Sequence, residues 1–163
     1  MYDLSKDRIL IVDDEPDNLE VLKATLELLY GASVKTVLGG EEALASLSTF
    51  RPTVIVTDLS MPKVDGYTLL YRIRREVATA GLPVIVLSAH AMNGDRERVL
   101  AAGFDGYISK PFDVVSLGDN IIASLEQFYA RRNAPATQVG VGTTSNNSNT
   151  LQNKPNERTD GIK

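Results

Sequence analysis

At 163 residues, 43% hydrophobic and 23% charged, the chain has the size and composition of one folded domain with room for a tail. It has no cysteine and a single histidine, which excludes disulfides, thiolate chemistry and metal sites built on Cys or clustered His. Residues 1–130 carry 12 Lys/Arg against 19 Asp/Glu and residues 131–163 carry 5 against 2, and an acidic folded part argues against nucleic-acid binding.

Met1 to Arg8 lacks a basic segment followed by an apolar run, so no signal peptide is expected and the chain reads as cytoplasmic. Ile9-Leu10-Ile11-Val12 is an unbroken apolar run of strand length. Leu19, Leu22, Leu26 and Leu29 then recur at helical spacing, which predicts a helix from near Pro16 that stops at Gly31. Ser33-Val34-Lys35-Thr36-Val37 alternates, which suits a strand near a sheet edge. Glu41 to Phe50, with Ala43, Leu44 and Leu47 as its apolar side, reads as a second helix ending before Pro52. Val54 to Thr57 is the next apolar run, and Gly66 to Val77 a helix on Leu69, Leu70, Ile73 and Val77. Val84-Ile85-Val86-Leu87 gives a fourth strand. Asn93 to Ala102 gives a shorter helix with Val99 and Ala102 inward and Gly103 as its stop. Tyr107-Ile108 is the fifth strand and Asp113 to Tyr129 the fifth helix, on Leu117, Ile121, Leu125 and Phe128. Nowhere does an apolar stretch approach the roughly 20 residues of a membrane span. From Asn133 the character changes, and Thr143 to Thr150 offers nothing to bury. Residues 1–131 are therefore expected to be the domain and 132–163 a disordered tail or linker.

Five β-α units with mostly non-alternating strands predict an α/β domain with a parallel sheet covered by helices on both faces. In such sheets ligands bind beyond the carboxyl ends of the strands. The residues expected there are Asp13-Asp14, Asp58, Ser88 and Lys110-Pro111. Taken singly, each has a bland explanation: acids cap helices, a serine sits in a turn, a lysine ends a strand. Taken together they do not, because three converging carboxylates repel one another unless a cation or proton intervenes. An all-oxygen set of this kind suits Mg²⁺.

The chain from about Arg8 to Tyr129, roughly three quarters of it, resembles the CheY-like receiver domain of bacterial two-component response regulators. The residues that carry the resemblance begin with Asp13-Asp14 and the run Asp58-Leu59-Ser60-Met61-Pro62-Lys63-Val64-Asp65-Gly66. Leu87-Ser88-Ala89, Gly103-Phe104-Asp105-Gly106-Tyr107 and Lys110-Pro111-Phe112 complete the set. The resemblance implies a flavodoxin-like, doubly wound five-stranded sheet of (βα)5 type. It implies that Asp58 is the nucleophile that takes a phosphoryl group from a histidine kinase or phosphotransfer protein. Asp14, Asp58 and the backbone carbonyl of Ser60 would hold Mg²⁺ directly, with Asp13 acting through water. Lys110 would pair with the phosphoryl oxygens, Ser88 would meet them through its hydroxyl, and Tyr107 would turn inward as Ser88 moves. A cis peptide bond is implied before Pro111.

The implied protein is a signalling switch rather than an enzyme, whose only chemistry is its own phosphorylation and dephosphorylation. It would act on a downstream protein partner through its fourth helix, fifth strand and fifth helix, with a homodimer through that face as a further option. Neither nucleic acid nor membrane is expected to bind. His90, two residues past Ser88, is expected to be an exposed loop residue. The alternative is a receiver fragment of a longer regulator or hybrid kinase whose output domain is missing. The intact acid set with Lys110 disfavours a phosphorylation-independent module. Ser60, where a phosphatase on this sheet would need a second acid, disfavours that enzyme.

Overall fold

The computed structural model of the chain describes residues 1–89 and 92–135. His90 and the expected tail beyond residue 135 lie outside the described residues. Among the described residues five strands and five α-helices alternate after a short 3-10 turn at Leu4–Lys6: β1 (Arg8–Val12), α1 (Pro16–Tyr30), β2 (Ser33–Val37), α2 (Gly40–Phe50), β3 (Val54–Asp58), α3 (Gly66–Arg75), β4 (Val84–Ser88), α4 (Asp95–Ala101), β5 (Gly106–Ser109) and α5 (Leu117–Asn133). The sheet is parallel throughout, in the order β2-β1-β3-β4-β5. This is the flavodoxin-like doubly wound α/β fold. No helix among the described residues is long and apolar enough to cross a membrane.

Strand period divides the core in two. Ile9 and Ile11 of β1, Val54 and Val56 of β3, and Ile85 and Leu87 of β4 face α1 and α5, meeting Leu22, Leu26, Ile121 and Leu125. Leu10, Val12, Ile55, Val84 and Val86 face the opposite way, onto Ala43, Leu69, Leu70, Ile73 and Val99 of α2, α3 and α4. Both faces of the inner strands are thus dry, which is why their sequences run apolar without alternation. Each such side chain contributes about 1.5–3 kcal/mol by burial. The central sheet is therefore the rigid base on which its polar end is mounted.

Five expectations need correction. Leu29 is exposed, since in the last turn of α1 it is Tyr30 that packs against the core, before Gly31 caps the helix with a left-handed φ of 68°. The strand β2 lies at an edge as its pattern suggested, yet its buried residues are Val34 and Val37, three apart and on opposite cores. The helix α3 ends at Arg75, since Glu76 is extended, and Val77 emerges 97% exposed. Ala102 is exposed, leaving Val99 as the buried residue of α4. The helix α5 starts at Leu117, four residues late, because the Asp113 carboxylate accepts from Val115 N at 3.0 Å and holds a turn instead. It also reaches Asn133, four residues past the expected Tyr129.

The loop from β3 to α3 is drawn tightly against the strand end. Gly66 N donates to Leu59 O at 2.8 Å, and a Cβ on Gly66 would stand 2.7 Å from Asp58 O. That oxygen is backbone and has no room to yield. Gly66→Ala should cost about 1–3 kcal/mol. The expected readout is a lower urea midpoint with unchanged slope.

Candidate functional site: an acidic cleft at the carboxyl ends of the strands

Between β1 and β3 the strand order reverses, so the loops leaving these two strands part and open a cleft. Asp13 follows β1, its amide held by Val37 O of β2 at 3.2 Å. Its side chain is wholly buried and fully engaged. Oδ1 accepts from Glu15 N at 2.9 Å, and Oδ2 accepts from Asn18 Nδ2 at 3.3 Å and from Lys110 Nζ at 2.8 Å. Asp14, the next residue, is exposed and lines the cleft. Asp58 ends β3 with its side chain 11% exposed and lines the cleft.

The three carboxylates each place one oxygen within 4.8 Å of the others. Lys110 Nζ lies 2.8 Å from Asp13 Oδ2 and 3.0 Å from Asp58 Oδ2, and so spans β1 and β3 from the far side of β5. Its amide donates to Ser88 O at 2.8 Å, continuing the β4–β5 ladder one step past Ser109. The Lys110–Pro111 peptide bond is cis. Burial works against the ammonium, but its hydrogen bonds to Asp13 and Asp58 and their charges outweigh it and hold the Lys110 pKa above the ordinary lysine value.

Asp58 Oδ1 accepts from Ser60 N at 3.3 Å, which brings that loop over the carboxylate. Ser60 also lines the cleft, together with Asp14, Asp58, Lys110 and Phe112, around a depression of about 640 Å³. Ser88 ends β4 buried, next to β3, and also borders a second depression beside α4. Tyr107, opposite Val86 in the ladder, is half-buried against the core beneath α2–α4. The structure therefore brings Asp13, Asp14, Asp58, Ser60 and Lys110 around one cleft, with Ser88 on the neighbouring strand end. Tyr107 stands apart from that group, near the middle of β5.

The sequence reading missed Asn18 and Glu15, which fix Asp13 from the first turn of α1. A polar residue in a first helical turn carries no signal that distinguishes this role from solvation. The donor set is all oxygen and one carboxylate is open to the cleft, so the chemistry of the residues fits a hard divalent cation.

Comparison with known proteins agrees with this geometry. The family described as response regulator receiver domain matches residues 9–122. Over 120 residues the chain is 36% identical to a DNA-binding dual master transcriptional regulator, RpaA, of Synechocystis; the match takes in 74% of this chain and 49% of that protein. The chain thus spans about half the length of that relative. Among solved structures, the chemotaxis response regulator CheY4 of Vibrio cholerae superposes with a TM-score of 0.67 at 26% identity, covering 72% of this chain and 97% of that one. The receiver domain of a sensor histidine kinase from Pseudomonas aeruginosa, which has a magnesium ion coordinated in its active-site cleft, does so with a TM-score of 0.64 at 34% identity. It covers 76% of this chain and 98% of its own.

Removing the cation should expose the repulsion it suppresses. Lys110→Met should lose about 1–3 kcal/mol at pH 7 relative to the unaltered chain, since partnered carboxylates are left buried with like charge. Because the folded Lys110 pKa is raised, its stabilisation is full below the ordinary lysine pKa and is lost as pH rises through the higher folded value. The gap should therefore narrow at strongly alkaline pH. Urea titrations across pH read that limit, and a pH-independent gap would contradict the electrostatic origin.

Proposed function

Since the chain belongs to the response regulator receiver family, we propose that it is a phosphorylation-controlled signalling switch whose phosphoacceptor is Asp58. The observation that supports this most is the position of Lys110 Nζ, 3.0 Å from the Asp58 carboxylate at the mouth of an acidic cleft. A carboxylate in that position is oriented, partly desolvated and already paired with the kind of cation that developing phosphoryl charge requires.

In the proposed step one Asp58 oxygen attacks the phosphorus of a phosphohistidine on a histidine kinase or phosphotransfer protein. The new O–P bond forms as the P–N bond breaks, and the imidazole leaves with its electron pair. Asp58 Oδ1 is steered by the Ser60 amide, while Lys110 is free to follow negative charge from the carboxylate to the phosphoryl oxygens. Asp13, Asp14, Asp58 and the Ser60 carbonyl would hold Mg²⁺, which when bound supplies charge neutralisation and a clamp on phosphoryl oxygens. Asp13, with both oxygens engaged by Glu15, Asn18 and Lys110, suits an indirect role, and exposed Asp14 a direct one.

Ser88 is proposed to meet the phosphoryl group through its hydroxyl, and Tyr107 to follow it inward, which biases the face formed by α4, β5 and α5. That face would engage a downstream protein partner, or a second copy of the chain. We place the switch in the cytoplasm, bound to neither nucleic acid nor membrane through residues 1–131, with residues 132–163 as tail or linker. A second reading, that the chain is the receiver part of a longer regulator, is favoured by RpaA, of which it spans 49%.

Incubation with a small acyl or amido phosphodonor and Mg²⁺ should add one phosphoryl group, and Asp58→Asn should add none, as intact mass shows. Undiminished labelling of that variant would sink the assignment. In titration calorimetry Asp14→Ala should weaken Mg²⁺ about tenfold or more and Asp13→Ala less, the difference between a direct and an outer ligand. An equal loss rejects the ranking.

A further inference from the structure

Lys110 is shared between two acids of different exposure. Its Nζ lies 2.8 Å from Asp13 Oδ2 and 3.0 Å from Asp58 Oδ2, so the shorter bond goes to the acid that takes no part in the proposed bond-making. Asp13 is wholly buried, whereas the Asp58 side chain keeps 11% of its surface exposed. Stripping a buried carboxylate oxygen of its donor is costly, because no water replaces the lost bond. These contacts alone would hold Lys110 on Asp13 at the moment when phosphoryl charge grows beside Asp58.

Asn18 alters that balance. It stands half-buried in the first turn of α1 and lines the cleft together with Asp58 and Lys110. Its Nδ2 donates to Asp13 Oδ2 at 3.3 Å, the same oxygen that Lys110 holds, and to Glu15 Oε2 at 3.2 Å. An amide nitrogen carries two hydrogens, and these two acceptors take both, which fixes the amide. Both bonds run to side chains, so capping of the α1 backbone does not account for them. Asp13 Oδ1 has its own donor in Glu15 N at 2.9 Å. With Lys110 withdrawn, Asp13 therefore keeps one neutral donor on each oxygen. With Asn18 removed as well, Oδ2 would have no donor among the described residues. At 3.3 Å the amide bond is long for its kind and has room to shorten as the ammonium departs.

We propose that Asn18 is the positioning residue that lets Lys110 leave Asp13. By keeping a donor on Asp13 Oδ2, it lowers the cost of moving the ammonium toward phosphoryl oxygens on Asp58. The inference rests on Asp58 being the phosphoacceptor and adds a division of labour to that reading. Lys110 supplies the charge, Asp13 holds it at rest, and Asn18 sets how readily it is released.

The test is the rate at which a small acyl or amido phosphodonor labels the full chain at saturating Mg²⁺, followed by intact mass. Asn18→Leu keeps the size of the side chain and loses both donors. It should slow labelling about tenfold, the effect of stranding one buried acceptor. Its urea midpoint should stay near that of the unaltered chain, since Lys110 still satisfies Asp13 at rest. Asn18→Asp has the native shape and so tests the proposal independently of packing. It removes the donors and adds negative charge beside Asp13, so it should slow labelling at least as much while tightening Mg²⁺ in titration calorimetry. Rates within about twofold of the unaltered chain in both variants overturn the inference. So does a loss of Mg²⁺ affinity in Asn18→Asp that matches its loss of rate, which would make Asn18 a support of the metal pocket alone. An unaltered chain that takes up no phosphoryl group would instead remove the reading of Asp58, and this inference with it.

Discussion

An ammonium between carboxylates is the interaction on which the rest of this molecule depends. At separations near 4 Å, two like charges cost about 1 kcal/mol in water and about 4 kcal/mol at the lower effective dielectric of a protein surface. Three acids within 4.8 Å would therefore strain any fold that gathered them without a cation. Lys110 supplies that cation from β5, two strands away from Asp58 in the sheet, by standing one residue beyond the end of its ladder. β1 and β3 are neighbours, so their terminal acids meet, and Lys110, one residue past the edge strand β5, reaches both of them.

The two ends of the sheet are built for different work. The carboxyl end concentrates unbalanced charge around an opening. The amino end is tied down by neutral and paired contacts. There Arg74 donates to Leu82 O at 2.6 Å and to Asp105 Oδ2 at 2.8 Å, and Asp105 also accepts from Val84 N. These bonds gather the segments before β4 and β5 onto α3.

Strands and their terminal polar residues were the most legible part of the sequence. Unbroken aliphatic runs have one economical explanation in a parallel sheet, and an acid directly after such a run must stand at its end. Helix limits were less legible. Asp113 and Glu76 redirect the backbone through local hydrogen bonds and turns that compete with helix, and periodicity registers only the apolar side chains around them. Leu29 and Ala102 sit at correct helical spacing, yet both are exposed, and in the last turn of α1 it is Tyr30 that meets the core. The supports of Asp13 were illegible for another reason: Asn18 acts through a single 3.3 Å bond that depends on where α1 starts, not on residue pattern. Gly66 could be seen in its motif, but the reason for it, a backbone oxygen 2.7 Å from where a side chain would begin, exists only in three dimensions.

If Asp58 is phosphorylated as proposed, the cleft above it would also set a duration. A carboxyl oxygen that a phosphodonor reaches is one that water reaches, because both arrive through the same cleft. A mixed anhydride formed there would consequently decay on its own, at a rate fixed by how well the loop at Ser60 shields its phosphorus. Side chains around the rim would then lengthen or shorten the life of the phosphorylated state. In such an arrangement the geometry of one aperture decides for how long the molecule stays changed.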